Sequence, residues 1–474
     1  MKFYLYKREY GAEQPYWGGP LKLRVPFIHY PMEWADFIQG AILAVVPMGI
    51  IAAMTKYLGI PFDIAITMVI INNFLYLLHT SFGDPAVAGW ITAGIPLYIG
   101  YLLQFPMGPE RLKALIAFQL VVGLIFLALG GFGIAKKVVA IVPASIKSGI
   151  LLGAGLASVI RIFKPGSFFS EMPISLTISI LFSFFMLFSR RALKLREQYG
   201  IFRWIAQYGI APAFVVGYIV GLIVKEVKPP VIKWGLVHWD ISGMITKVSA
   251  LGVGFPSVDL MIKGIPLAIM AYILAFGDVL ILESLIDVCN RERPDEKVVF
   301  SANRNHIVTA IRNIGEAIFL PFLSLAGPQW TGGQALVVNR YIHSTPEEEP
   351  TYWGGATALF WGMSIALCLA IIVTICKPAL KIGFALTLAI QGWLCCYLAM
   401  EMLEDNIQRG ISGVMGSIIA AKPGSALGLG AGIVMFLAIE FMKNGANPIK
   451  DKLTNNKKAE SPKEESGGET KGEH

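Results

Sequence analysis

Charge is scarce in this sequence. Of its 474 residues only 15% are Asp, Glu, Lys or Arg, while 55% are hydrophobic. A soluble chain usually carries roughly 25% charged residues, so a water-soluble globular protein is excluded. Cysteine is scarce as well. The five are Cys289, Cys368, Cys376, Cys395 and Cys396, with no CxxC pair. That spacing supports neither a disulfide framework nor a zinc site and leaves burial as small hydrophobes. Walker A, G-x-S-x-G and H-E-x-x-H sequences are missing, which argues against an ATP-driven pump, a membrane hydrolase or any other enzyme of those classes. No cleavable leader is evident either: the first thirty residues, with Lys2, Lys7, Arg8, Lys22 and Arg24, have no apolar h-region.

What is present is a series of apolar runs that approach the ~20 residues needed to span a bilayer. They include Phe37 to Ala53, Leu112 to Ile134, Ile174 to Phe188, Ala211 to Val224, Ile265 to Leu282, Ala356 to Ile375 and Ala426 to Phe441. Several are broken by Gly and Pro, and the pattern predicts an all-α polytopic membrane protein of about 14 spans, a size typical of repeat-built transporters. The net charge of +8 needs no nucleic acid. The basic residues cluster at the N-terminus, at Lys136-Lys137, from Arg190 to Arg203, from Arg291 to Lys297 and beyond Lys443, which is loop topology. An even number of spans then puts both termini in the cytoplasm of a cell whose plasma (inner) membrane holds the chain.

Two local patterns recur about 240 residues apart, as repeat-built transporters do. Pro143 to Gly149 resembles Pro378 to Gly383, and Gly83 to Gly89 resembles Gly327 to Gly332. The expected organisation is a cytoplasmic N-terminal segment (1–33), a first seven-helix repeat (34–225), a connecting loop (226–255), a second seven-helix repeat (256–442) and a disordered tail (443–474) that is too polar to fold.

Pro suits the first turn of a helix. A helix is therefore predicted to restart at Pro85 and run to Leu103, and a second to restart at Pro328 and run to about Tyr341. A helix that begins inside the membrane leaves free N–H groups and partial positive charge at its start. Two such starts facing each other suit an anion or a polar carbonyl compound. The candidate substrate residues are Gly83, Asp84, Pro85, Ala86 and Val87 in the first copy. In the second they are Pro328, Gln329, Trp330, Thr331, Gly332 and Gln334. Asp84 is read either as a cap on the helix start or as a proton-coupling group. His79 reads as a packed residue, and Asn72 and Asn73 as inter-helix hydrogen-bonding groups.

Carboxylates inside apolar runs are costly and are functional candidates. Asp278 and Glu283 are such residues. Either can carry a proton when desolvated or hold Na⁺ with unwound carbonyls. The bland alternative is a salt bridge to Arg304 or Arg312. H⁺ or Na⁺ is thus the expected coupling ion, and no other cofactor or metal is expected.

Several short motifs, in order, resemble the sulfate permease (SulP) family. They are Asp36-x-x-x-Gly40 with Pro47 and Gly59-Ile60-Pro61, then Glu283-Ser284-Leu285-Ile286, then Asn303-Arg304-Asn305 and Arg312-Asn313-Ile314, and then Pro328 to Thr331. The related nucleobase–ascorbate transporters have an acidic residue in the eighth helix that matches Glu283. Their acidic residue in the tenth helix has no acidic counterpart here, and Gln334 is the nearest match. The resemblance implies a seven-plus-seven inverted repeat. Helices 1–4 and 8–11 form a substrate-carrying core, and helices 5–7 and 12–14 form a gate that also makes a homodimer contact. It implies elevator or rocking transport, with substrate between the starts of helices 3 and 10 and Glu283 beside it. Members of the family usually carry a cytoplasmic STAS domain after the last helix, and here only a short tail follows. The function expected is H⁺- or Na⁺-coupled symport of a small anion, an inorganic oxyanion or a carboxylate. A permease for a nucleobase or other neutral solute is the alternative within the same fold. A channel needs a continuous polar lining, and a non-transporting scaffold gives no reason to bury Glu283.

Overall fold

A computed structural model describes residues 5–19, 21–344, 350–422 and 426–441. The tail read as disordered lies outside the described residues. Six helical stretches among the described residues are long and apolar enough to cross a membrane, namely 34–58, 62–81, 109–131, 144–171, 258–292 and 370–401. The remaining spans are shorter or broken, as the Gly and Pro interruptions require.

The first half consists of α1 (Trp34–Leu43) with α2 (Val45–Leu58), α3 (Phe62–Leu75) with α4 (Leu77–Ser81), and β1 (Gly89–Trp90) leading to α5 (Ile95–Leu102). Then come α6 (Pro109–Gly131), α7 (Ala144–Phe163), α8 (Pro173–Phe188) and α9 (Ala211–Ile223). The second half consists of α10 (Val258–Glu292), α11 (Ala302–Phe319), and β2 (Ala326–Gly327) leading to α12 (Thr331–His343). It ends with α13 (Tyr352–Cys368), α14 (Leu380–Glu401), α15 (Asn406–Ala421) and α16 (Ala426–Met435). Counting each broken pair as one, each half has seven segments. Side-chain caps open many of them: Ser257, Ser301, Thr351 and Asp405 accept backbone N–H groups at the starts of α10, α11, α13 and α15, where the first turn has no partners of its own.

The packing repeats by halves. α1 lies on α13 as α10 lies on α6, α3 on α13 as α11 on α6, and α8 on α9 as α15 on α16. That exchange is the inverted repeat. Segments α1–α6 and α10–α13 form one body, the core, and α7–α9 with α14–α16 form the gate. They meet where α2 packs on α14, α5 on α7 and α10 on α7.

The N-terminal segment is a strap across one end of the core. Gly11 N–H donates to the Asp295 carbonyl at 2.9 Å, Lys297 N–H to Ala12 at 3.1 Å and Arg24 N–H to Ser81 at 2.9 Å. Arg24 is fully buried. Its guanidinium donates to Glu13 at 2.7 Å and lies 4.0 Å from the Trp353 ring centroid. Tyr30 shares a hydrogen bond with Thr357 at 2.9 Å.

In the loop beneath the strap, burial pushes the Asp295 carboxyl up. Hydrogen bonds from Arg293 at 2.7 and 3.0 Å and the Arg8 guanidinium at 3.3 Å outweigh it and hold Asp295 below the usual carboxylate range. A depressed folded value means that the contribution to docking is complete above the ordinary aspartate range and is lost as pH falls through the folded value. The Asp295 contribution to strap docking is therefore expected to be constant near neutrality and to be lost only in strong acid. Limited proteolysis of residues 5–30 against pH, compared between the parent and Asp295→Asn, checks this, and a difference between the two that changes between pH 6 and 8 would contradict it.

Candidate functional site

The chain leaves α4 through Gly83, whose φ of +74° is a left-handed turn that Gly adopts without strain. Residues 84–91 then run extended. Gly89 pairs with Gly327 and Trp90 with Ala326, antiparallel. Trp330 N–H donates to the Val87 carbonyl at 2.7 Å and Ile91 N–H to the Leu325 carbonyl at 3.3 Å. The expectation of helices starting at Pro85 and Pro328 is corrected here. Backbone groups of Val87, Ile91, Leu325 and Trp330 bond across this crossing, where strands β1 and β2 pair, so neither segment is helical there. The helices begin beyond it. After β1 comes a tight turn, Thr92–Gly94, and then α5, with Pro96 in its first turn. After β2, α12 starts at Thr331. The two-fold exchange of the strands matches Gly89 with Ala326 and Trp90 with Gly327, a register in which Pro85 and Pro328 are not partners.

A buried polar chain braces the crossing from behind. Glu316 accepts from Asn72 at 2.9 Å, Gln119 at 3.1 Å and Arg312 at 3.4 Å. Arg312 Nη1 lies 3.3 Å from His79 Nε2, 3.4 Å from the Gly327 carbonyl and 3.5 Å from the Gly89 carbonyl. His79 Nδ1 meets Asp84 Oδ2 at 2.6 Å, and Asn305 donates to Asp84 at 2.8 Å and to the Pro328 carbonyl at 3.1 Å. Asn313 bonds both backbone groups of Ala326, at 2.8 and 3.0 Å. Asp84 is thus a fully buried link between the two halves and caps no helix. Asn72 and Asn73 do bond between helices, Asn72 to Glu316 and Asn73 to Ser364 at 2.9 Å.

Both side chains of the Arg312–Glu316 pair are fully buried. Removing one partner of such a pair leaves an uncompensated charge, at a cost of about 3–5 kcal/mol. Arg312→Met is expected to destabilise by about that much, and Arg312→Met with Glu316→Gln by clearly less. Thermal or denaturant unfolding in detergent reads this; equal losses in the single and double variants would contradict it.

The eleven proposed substrate residues divide by exposure. Gly83, Asp84, Pro85, Ala86, Val87, Pro328, Gln329 and Gln334 are buried. Gln334 holds the scaffold together, accepting from Val87 N–H at 2.7 Å and donating to the Tyr352 hydroxyl. Trp330 is half-buried, and Thr331 and Gly332 are exposed. Thr92 and Ala93, at the other helix start, are half-buried. Gate helices α7 and α14 pack against Thr92–Gly94. The sequence reading missed Thr92 and Ala93, and Pro96 was the signal for that helix start.

Asp278 reaches the start of α12. Its Oδ1 accepts from Thr331 Oγ1 at 3.2 Å, and Cys395 of α14 lies within its electrostatic reach. Glu283 does not. It is part-exposed and pairs with Lys136 Nζ at 2.6 and 2.8 Å, whereas Arg304 donates to the Gly83 carbonyl and Arg312 to Glu316. Five helical residues separate Asp278 from Glu283, about 7.5 Å of rise and 140° of rotation.

No family model matches the sequence, and no curated protein matches it significantly. Solved structures do. The transmembrane domain of a cyanobacterial bicarbonate transporter, BicA, superposes with a TM-score of 0.54 at 14% identity, covering 84% of this chain and 96% of that one. A murine Slc26a9 anion transporter in the inward-facing state superposes at 0.53 and 12% identity, covering 87% and 69%, and a further SLC26A9 structure at 0.52 and 15%, covering 84% and 64%. This chain has their fold. Its third and tenth segments are broken and cross as short strands.

Proposed function

We propose that this protein is a secondary transporter that carries a small anion together with H⁺ or Na⁺. The observation that carries the reading is the antiparallel crossing of two broken segments, each followed by a helix start, with Asp278 hydrogen-bonded to Thr331 at the second start. Two helix starts attract an anion. A carboxylate beside them repels it, by about 3 kcal/mol for unit charges roughly 6 Å apart at an effective dielectric near 20. A proton or Na⁺ on Asp278 removes that repulsion, so each ligand strengthens the other's binding, as symport requires. Coupling is assigned to Asp278. Thr92, Ala93, Trp330, Thr331 and Gly332 line the anion site, and Gly83–Val87, Pro328, Gln329 and Gln334 hold it in shape.

The relatives in fold are named as bicarbonate and anion transporters, which supports an oxyanion or carboxylate as cargo. Displacement of core against gate, a homodimer through the gate and cytoplasmic termini in the plasma membrane belong to the same reading. The test is uptake by proteoliposomes of bicarbonate, sulfate, small carboxylates and uracil under imposed Na⁺ or proton gradients. Accumulation of one anion above equilibrium, driven by one gradient, is expected. Uptake of uracil alone, or equilibration without accumulation, would overturn the proposal.

A further inference from the structure

The transport reading leaves unused a basic surface at the end of α8. From Arg190 to Arg203 the sequence holds five basic residues and one acidic residue, Glu197. The helix Arg190–Gln198 continues the apolar span α8 but turns away from it by 63°. Ser189 makes the turn. Its backbone is extended, and its side chain accepts from Ala192 N–H at 3.0 Å. Arg196 donates to the Met186 carbonyl, which pins the new helix to the end of the span. A span runs within a few tens of degrees of the membrane normal, so a helix bent this far lies nearer the membrane plane.

Helical rotation of 100° per residue puts Arg190, Arg191 and Lys194 on one side and Ala192 and Leu195 on the other. Ala192 is buried and Leu195 half-buried against the protein, while the three cations are exposed. None of the three makes an ion pair among the described residues. Beside them Leu193, Tyr199 and Ile201 are 46%, 54% and 58% exposed. Cations flanked by exposed apolar side chains, at the end of a span, match the boundary where phosphates meet acyl chains. A soluble phosphate has no use for the apolar residues, and a soluble acidic protein has none for a helix laid along the bilayer.

The geometry points to a docking surface for anionic phospholipid headgroups, made by Arg190, Arg191 and Lys194, with Leu193, Tyr199 and Ile201 at the acyl boundary. The surface belongs to the gate, so the bound headgroups fasten the gate to the leaflet. This inference depends on the membrane reading and not on the cargo or the coupling ion.

The experiment measures the thermal stability of the full chain in neutral detergent with added phosphatidylglycerol, phosphatidylcholine or inorganic phosphate. Phosphatidylglycerol is expected to raise the melting temperature more than the other two, with the difference shrinking in 0.5 M salt. Each near-surface cation strengthens binding about fivefold. Arg190→Gln/Arg191→Gln/Lys194→Gln is therefore expected to weaken apparent phosphatidylglycerol affinity at least tenfold, whereas Arg190→Lys/Arg191→Lys keeps it. Inorganic phosphate acting as well as the lipid, the triple variant keeping the lipid response, or the lysine variant losing it would each overturn the inference. A transport assay reads none of these outcomes, so this inference and the transport proposal can fail separately.

Discussion

Gly89→Ala and Gly327→Ala are each expected to abolish transport, to less than about 1% of the parent rate, in protein that still inserts. A Cβ on Gly89 would stand 2.7 Å from the Gln329 carbonyl oxygen and from Trp330 Cβ, and one on Gly327 would stand 2.6 Å from the Trp90 carbonyl carbon. Real Cβ atoms do not approach backbone so closely, so the strands must part. The obstacles are main chain and the Trp330 Cβ fixed to it, held by the Val87–Trp330 and Asn313–Ala326 bonds, and none can swing clear. Overpacking of this kind costs about 1–3 kcal/mol, which a large membrane domain survives. The positions of Thr92 and Thr331 do not survive it, because each helix start hangs on its strand, and a shift of ~1 Å in a preorganised site costs on the order of a hundredfold. Gly315→Ala is the control. It lies in α11 near the same network, a Cβ there meets nothing within 4 Å, and alanine favours a helix interior by up to ~1 kcal/mol. Proteoliposome uptake normalised to protein recovered by gel filtration gives the answer. Normal uptake by either strand variant would mean that the crossing does not position the site.

Asp278→Asn is expected to eliminate gradient-driven accumulation, while Glu283→Gln leaves it within about twofold. Asparagine keeps the acceptor for Thr331 and cannot take up a proton or neutralise Na⁺. The repulsion that made the cation necessary is gone with the charge, so anion exchange down its own gradient persists and concentrative uptake does not. Glu283 has no comparable position. Its side chain is 36% exposed and that of Lys136 is 54% exposed, and solvent-accessible pairs of this kind contribute ~0–1 kcal/mol. Accumulation measured with and without the driving gradient separates the two residues. Loss of coupling in Glu283→Gln, or retention of it in Asp278→Asn, would sink the assignment.

Why the sequence does not tell the surroundings of the two carboxylates apart follows from the length of α10. Thirty-five residues at 1.5 Å each make about 52 Å of helix, well beyond the ~30 Å hydrocarbon layer. Glu283 sits far along that rod, opposite Asp278, yet apolar residues surround both in sequence, and hydropathy cannot mark where the rod leaves the bilayer. The spans themselves were readable because burial in lipid demands long apolar runs. The repeat was readable because Gly and Pro punctuate both halves. The strands were not. Residues 86–91 carry no charge and follow Pro85, which reads as a helix start; their true partners lie some 240 residues away and leave no local trace. Glu316 was missed for a related reason. Four residues from Arg312, it looks like an ordinary surface pair, and only the surrounding Asn72, Gln119 and His79 reveal that it is enclosed.

The strap over the core has a consequence for biosynthesis. Arg24 finishes against Trp353, and Tyr30 against Thr357, so the strap waits for the eleventh segment to be made. At ~5–20 residues per second the delay is roughly 15–65 s. During that interval α1 to α6 are inserted without the helices that will hold them, and Asp84 and Asn72 are without Asn305 and Glu316. The strap can close over the core only after the eleventh segment has been made.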